Sequence, residues 1–537
     1  MPSAIVVGAG PAGVLTSVYL AQLGYAVDVF ERREEPSQAQ ASSQHSYPMV
    51  LANRATVCIA EAGLQPACCT EPTARPCCGH YSLGKLRGGG DPKSLGPEMV
   101  TWVVDRVGLA ADLLAEACRV YPDRIRFHFN AALTELDLAA RRVVFSLAQP
   151  NGGSTSTQQE VCGYDLLVGA DGASSGVRAA MAAQLPPERF SAELLYQSVV
   201  VYRTFHGLPR TRPAAPGPDA SAAPERPVPV PVEELVPGIG EHLPKQHLYW
   251  YDNRTGPLVT FWINEAGQLD GLVSKVTDWS ASALSSLIRS VHPAIPPYLV
   301  DGIVEQVCPK QPSAEASSAA PESAPAGGGS RFGCVVRCRP FHAAEEGVVL
   351  VGDAAHPVTG HLGQGANMAL ESARALAAAL RRFGPGRQAE ALAAYSAERA
   401  ADTAACQHLE MSMAAFVLPP VYRPGGGKAG KAGAKGGPEE GGAGAAEGAA
   451  GSAPFSLGFR LYAAWLIMGS MMVGLAGHKL APAAFPLPIW LMAATRDSRL
   501  RYSVILQRAR LMAGGLVLAG GAAAVASVAL AVRWWRR

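Results

Sequence analysis

Hydrophobic residues open the chain as a short unbroken block, Ala4 to Val7, which reads as a buried strand. A glycine-rich turn follows, then a helix reaching about Leu23 and a second strand-like block, Ala26 to Phe30. Strand and helix patterns alternate to about Met181. From about Phe190 to Val307 strand-like runs prevail, among them Ser198 to Phe205, His247 to Asp252 and Leu258 to Asn264. From Arg331 to Leu418 the pattern returns to a strand (Gly347 to Val351), a Gly-rich loop and a long Ala/Leu helix from Asn367 to Leu380. Three stretches show no period: Leu208 to Pro237, Pro312 to Ser330 and Arg423 to Ser452. Their Pro, Ala, Gly, Ser and charged residues cannot bury enough apolar surface to offset chain entropy, so they read as insertions or linkers. The pattern predicts an α/β fold. The blocks are 1–185 and 331–420, each alternating strand and helix, 186–330, rich in strands, the linker 423–454 and the apolar C-terminal region 455–537.

Within that last region, Leu511 to Val532 is apolar throughout and carries no charge. It is long enough to cross about 30 Å of hydrocarbon and shows no polar face. Arg508 and Arg510 flank one end; Arg533, Trp534, Trp535, Arg536 and Arg537 close the other, with side chains suited to the headgroup level. A single-pass C-terminal anchor over 511–532 is therefore expected, with the body facing the cytosol. The short basic tail resembles outer-mitochondrial tail anchors, and other organelle membranes fit it as well. Tyr462 to Gly477 is also apolar but short, and is equally consistent with a second membrane element or a helix capping a cavity.

Composition narrows the classes. At 48% hydrophobic and 17% charged, the chain is globular on average. A net charge of +2 and the lack of a basic stripe give no reason to expect a nucleic-acid partner. No secretory signal opens the sequence, so the eleven cysteines are expected to be reduced thiols. Cys68-Cys69 and Cys77-Cys78 lack the spacing of zinc ligands, and His356 and His361 lie in a Gly-rich loop, so no metal site is expected.

The chemistry begins at the first turn. Gly8-x-Gly10-x-x-Gly13, with Pro11 and Ala12 inside it, lies between strand and helix. The first glycine permits the tight turn, the second lets backbone approach a pyrophosphate, and the third allows helix and strand to pack. Glu31, at the end of the second strand, can accept hydrogen bonds from ribose hydroxyls, and Arg32 follows it. This is a Rossmann-type dinucleotide site, which FAD and NAD share. Downstream, Gly352-Asp353 ends a strand, and Gly363-Gln364-Gly365 leads through Ala366 and Asn367 into a helix. Asp353 suits a ribityl hydroxyl, and the helix start offers N–H groups to a flavin's pyrimidine carbonyl. Between these, DLLVGADGASSGVR places Asp171-Gly172 after a strand and ends in Arg178.

The three segments, in this order and spacing, resemble the single-component flavin aromatic hydroxylases. The resemblance implies FAD in a discontinuous domain, interrupted by a strand-rich substrate domain. It implies Glu31 at the adenosine ribose, Arg106 (in WVVDRVGLAADLL) at the phosphates, Asp353 at the ribitol, and Ala366 and Asn367 by the isoalloxazine; Leu133 joins the cofactor-binding set. It further implies NADPH or NADH as a transient co-substrate, with O2 used through a hydroperoxyflavin to hydroxylate a small aromatic or other organic substrate. GDAAHPVTGHLGQGANMALESA, the FPLPIWLMAATRDSRLRYSVILQRARLM stretch and HLEM are most similar to the kynurenine 3-monooxygenases. By that likeness Glu410 faces the substrate, with His356 the other polar residue placed there. The sequence departs from that branch where an Arg and a Tyr grip the substrate carboxylate: the aligned residues are His80 and Val100. Neither can form a bidentate fork. Gly360 and Ser372 also replace a Pro and an acid. The alternatives are a membrane-associated flavin epoxidase acting on a lipid and a non-catalytic, membrane-tethered flavoprotein.

Overall fold

The computed structural model describes residues 1–36, 48–69, 79–82, 85–88, 101–147, 158–198, 200–209, 211–212, 228–229, 247–251, 258–263, 268–293, 295–308, 330–331, 333–417, 455–480 and 490–518. Val100, Cys77, Cys78, the linker 423–454, most of the two insertions and residues 519–532 of the apolar run lie outside them.

The main sheet runs in the order His342–Ala343, Val348–Leu350, Leu166–Gly169, Ser3–Val7, Ala26–Phe30 and Ile125–His128. Only the edge strand His342–Ala343 is antiparallel. The inner strands are apolar runs buried on both faces, as parallel sheets require. Helices Pro11–Gln22, Arg106–Val120 and Gly365–Phe383 cover the sheet, and their side chains join one core with Val6, Val29, Leu167 and Val349. The register decides the function of this layer. Val7 pairs with Phe30 and Gly169, and Gly169 with Leu350. The turns at Gly8, Glu31, Asp171 and Gly352 therefore leave the carboxyl ends of four neighbouring strands, where open α/β sheets place ligands.

A second, seven-stranded sheet is ordered Ser330–Arg331, Val201–Leu208, Leu269–Ser274, Leu258–Ile263, His247–Tyr251, Gly79–Ser82 and Lys85–Gly88. Its last two strands come from the first block of sequence, although the sheet is otherwise built from the middle of the chain. The strand expected from Ser198 begins at Val201, because Ser198 N–H and Gly333 O form a loop bond instead. Helices Ala281–Val291 and Pro297–Val307 pack Leu284, Ile288 and Ile303 against Phe205, Val259 and Val273. The antiparallel pair Ser191–Gln197 and Cys334–Arg339 joins the two regions.

The C-terminal region packs on the body. Helices Leu457–Leu480 and Tyr502–Leu518 lie against helix Gln388–Val417, and helix Trp490–Arg496 packs on those two. Leu466, Ile467, Tyr502 and Ile505 form one core with Cys406, Leu409, Met368 and Leu362. The apolar run expected from Leu511 thus continues a helix that starts at Tyr502, inside the fold. Among the described residues one helix is long and apolar enough to cross a membrane: Leu457–Gly474, with mean hydropathy 1.3 and 33% of that window buried. Its inward face carries Ala463, Leu466, Ile467 and Ser470; Leu457, Leu461, Met468 and Met472 point outward.

A buried ionic cluster ties the region down. Arg54 Nη1 meets Glu371 Oε1 at 2.9 Å, its Nε donates to Thr495 O at 2.7 Å, and its guanidinium lies 4.2 Å above the Tyr502 ring. Arg399 approaches Glu371 at 3.6 Å and Asp402 at 3.9 Å, while Ser503 donates its N–H and hydroxyl to Asp402.

Candidate flavin site

The phosphate turn is shaped by what each glycine excludes. Gly8 has φ +105°, and a Cβ there would lie 2.6 Å from Ala170 O. A Cβ on Gly13 would lie 1.9 Å from Gly8 O, so strand and helix touch through bare backbone. Gly10 differs: a Cβ there would meet nothing within 4 Å. Its surface faces open space above the start of helix Pro11–Gln22, whose first turn has neither an acid nor a side-chain cap. That is a free positive helix end beside a bare backbone, the combination a pyrophosphate needs.

Glu31 is aimed at this turn. Its Oε2 accepts from Ala9 N–H at 2.9 Å and its Oε1 from Arg33 N–H at 3.0 Å. Arg32 is exposed. The neighbouring Arg33, also exposed at its outer end, belongs to no sequence motif. Desolvation and Arg106 hold its guanidinium below the usual value, against the pull of Glu31. Arg106 also acts on Asp353, whose carboxyl is raised by burial and drawn back by Arg106 and Arg178. Glu31, Arg33, Arg106 and Asp353 are thus linked electrostatically, each to the next, although 322 positions separate Glu31 from Asp353.

Asp171 spends Oδ2 on the N–H groups of Gly176 (2.7 Å) and Val177 (3.2 Å), capping helix Gly176–Gln184. Its Oδ1 is buried with no protein partner. Gly172, at φ +81°, makes the turn, and Leu133 packs against Gly176. Arg178 then links the segments, donating to Ala173 O and to Ala354 O at 2.9 Å. The loop before helix Gly365–Phe383 turns at Gly363, with φ +65°. Ala366 is half-buried at the helix start. Asn367 is committed to protein: Oδ1 accepts from Ala52 N–H at 2.7 Å, and Nδ2 donates to Val50 O and Gly363 O. It can offer a ligand only its backbone.

Glu410 and His356 are both buried and bonded to protein. Glu410 is fully buried, and its oxygens accept from Thr359 Oγ1 (3.1 Å), His361 N–H (2.9 Å) and Leu362 N–H (3.2 Å). It pins the loop that leads to Gly363 rather than facing open space. His356 Nε2 lies 2.9 Å from Ser372 Oγ, which also accepts from Arg399 Nε at 3.3 Å. Burial and Arg399 push the imidazole down to about 3, so it is neutral. Ser372, in place of an acid, therefore suits a site already next to Glu371. His80 lies on strand Gly79–Ser82, paired with Leu248.

These residues fit FAD. The open Gly10 face and the uncapped helix start suit its pyrophosphate, Glu31 its adenosine ribose, and Asp353 its ribityl hydroxyls. The orphaned Asp171 Oδ1 is a polar atom in the same row of turns that protein alone leaves unsatisfied.

Comparison with known proteins agrees. The FAD binding domain family matches residues 2–206 and 336–408, which are the two halves assembled by the main sheet. Kynurenine 3-monooxygenase from Salinispora arenicola is 31% identical over 405 residues, covering 74% of this chain and 75% of that protein. Violacein synthase from Chromobacterium violaceum is 27% identical, covering 70% and 76%. Among solved structures, P. aeruginosa PqsL in complex with 2-aminobenzoylacetate shares the fold, with TM-score 0.50, 19% identity and coverage of 78% and 95%. So does 2-methyl-3-hydroxypyridine-5-carboxylic acid oxygenase, with TM-score 0.51, 18% identity and coverage of 79% and 95%. With the family matched across both halves of the flavin groove, the chain belongs to the FAD-binding aromatic hydroxylases and is an FAD-dependent monooxygenase.

Proposed function

We propose that this enzyme hydroxylates a small aromatic, or similarly electron-rich, organic molecule, using NADPH or NADH as reductant. The observation that carries the reading is the row of turns at four adjacent strand ends, with Gly10 open and Asp353 beside Arg106. Bound FAD would supply reduction by the nicotinamide and activation of O2. The chain's own residues bind, orient and enclose. Glu31 and Asp353 accept from ribose and ribityl hydroxyls. Arg33 and Arg106 offset phosphate charge, and Asp171 and Arg178 fix the turn next to Asp353. The start of helix Gly365–Phe383 directs N–H dipoles at negative charge developing on the ring. Glu410, Gln364 and Tyr502 hold that loop still, and the C-terminal helices keep water from its far side.

A kynurenine-like substrate is the first to test, since the Salinispora arenicola relative named for it is matched over 75% of its length. His80 cannot give the bidentate grip on a carboxylate that an Arg gives. A lipid substrate entering from a bilayer is the second reading, favoured by the outward row Leu457, Leu461, Met468 and Met472. The same row, with the apolar run 511–532, supports attachment to a membrane with the body on the cytosolic side. The experiment is NADPH oxidation and O2 uptake by full-length, detergent-purified protein. Stimulation by L-kynurenine with a hydroxylated product supports the first reading. Stimulation only by an apolar substrate moves it to the second. FAD-loaded protein that no candidate stimulates overturns both.

A further inference from the structure

Two cavities open between strand Cys334–Arg339 and helices Gln388–Val417 and Tyr502–Leu518. The inner, of about 290 Å³, reaches Phe341, Ala355 and His356. The outer, of about 520 Å³, reaches His408, Leu506, Arg510 and Leu511. Arg337, Arg339, Ala401 and Ala404 line both, so they form one cleft running from Leu511 to the residues just after the Gly352–Ala354 turn. Nothing in the flavin site accounts for it.

The charge in this cleft is one-sided. No Asp or Glu lines either cavity, while three arginines do. Arg337 Nε is buried without a hydrogen-bond partner. Burial and Arg339 hold its guanidinium below the usual value, and Glu193, its register partner across the strand pair, is the one opposing group. Arg510 is held by its Nε, which donates to Tyr462 Oη at 3.1 Å; that hydroxyl lies 3.1 Å from His408 Nε2. Burial, Arg510 and Arg337 push His408 down to about 4, so it stays neutral and accepts from Tyr462. A buried guanidinium nitrogen with no acceptor is unfavourable, and guanidinium forks match phosphate oxygens well. The floor, by contrast, is Ala401, Ala404, Ala405 and Leu506.

We propose that this cleft binds the phosphate head of an anionic amphiphile, held by Arg337, Arg339 and Arg510, with its apolar chain laid along Ala404, Leu506 and Leu511. A membrane lipid is the favoured source. Leu511 at the cleft mouth is the first residue of the charge-free run to Val532, and the outward row on Leu457–Leu480 belongs to the helix packed beside it. That choice of source rests on the membrane reading above; the site itself does not.

The test uses full-length, FAD-loaded protein. Dihexanoylphosphatidate, a soluble probe, is titrated against wild type, Arg337→Gln/Arg339→Gln and Arg510→Gln, with dihexanoylphosphatidylcholine as control. Phosphatidate is expected to bind wild type about tenfold tighter than the control and to lose that advantage in the double variant, as loss of charge-assisted bonds predicts. The exposed Arg510 gives a smaller loss in a variant whose folding is not at stake. Equal binding by all three proteins overturns the proposal, as does no binding by wild type. Flotation with phosphatidylcholine vesicles, with and without phosphatidate, separates the sources. Wild type that binds the soluble probe yet floats with neither vesicle keeps the cleft and removes the bilayer. Wild type that floats with phosphatidylcholine while the probe fails keeps the bilayer and removes the cleft.

Discussion

Tyr502 donates its phenol to the side-chain oxygen of Gln364 across 2.9 Å, both groups buried. Gln364 immediately precedes helix Gly365–Phe383, so the position of the loop expected at the flavin ring depends on the C-terminal helices. Tyr502→Phe should remove one buried hydrogen bond, about 1 kcal/mol, or about a fivefold loss where it is spent on cofactor binding. Fluorescence titration of apoprotein with FAD measures it. An unchanged affinity would mean that the loop holds its shape without this contact.

Cutting the chain before Phe455 should be far more damaging. It strips the cover from Leu362, Met368, Cys406 and Leu409 and removes the Thr495 and Leu500 carbonyls that Arg54 uses. The truncated protein should be insoluble or unable to retain FAD, judged by gel filtration and released flavin. A soluble, flavin-retaining fragment would contradict the packing described above.

Gly10 and Gly13 should separate binding from folding. Gly10→Val adds a side chain where protein offers no obstacle, so the melting temperature of the apoprotein should hold while FAD binding is lost. Gly13→Ala forces a Cβ against Gly8 O and should destabilise the apoprotein itself. Equal destabilisation by both would mean that the Gly10 face is not the pyrophosphate surface.

Arg54→Met should leave Glu371 buried with only the longer contact to Arg399. Breaking a buried pair from one side typically costs about 3–5 kcal/mol. Adding Glu371→Gln should recover much of this, since the stranded charge goes too. Urea unfolding of the two single variants and the double variant decides it, and no recovery would mean that packing under Arg54, not charge, is what matters.

The buried neutral histidine sets a pH dependence. His356 ionises near 3 in the folded chain against the ordinary 6.5. As pH falls through 6.5 the unfolded chain takes up a proton that the folded one refuses. Stability therefore falls from about 6.5 toward 3, by up to about 1.4 kcal/mol per pH unit from this group. His356→Gln should show a smaller difference in urea midpoint between neutral pH and about pH 5 than wild type. An unchanged difference would place the acid sensitivity on other groups, such as His361 or His408, both pushed down to about 4.

The groove was legible because its parts are local. A glycine spacing, a carboxylate at a strand end and a Gly-Asp turn each carry meaning within a few residues. What escaped the sequence is long-range. Arg54 and Glu371 are 317 positions apart, and nothing near either announces the other. Nothing near Glu410 announces its bonds to Thr359, His361 and Leu362, about fifty positions upstream. Gly79–Ser82 and Lys85–Gly88 carry too little apolar alternation to announce membership of a sheet whose other strands lie far downstream.

Strand order also sets a timetable for synthesis. Ser3–Val7 finds Leu166–Gly169 only after a long wait, and Leu166–Gly169 finds Val348–Leu350 only when two thirds of the chain has left the ribosome. At about 5–20 residues per second, the phosphate turn is made tens of seconds before the Asp353 turn that completes its groove. Until then the central strands expose an unpaired apolar edge to chaperones and to one another. Intracellular flavin supply should therefore govern yield through the last stage of maturation, when ligand first has a complete groove to trap, and not through the nascent N-terminal half.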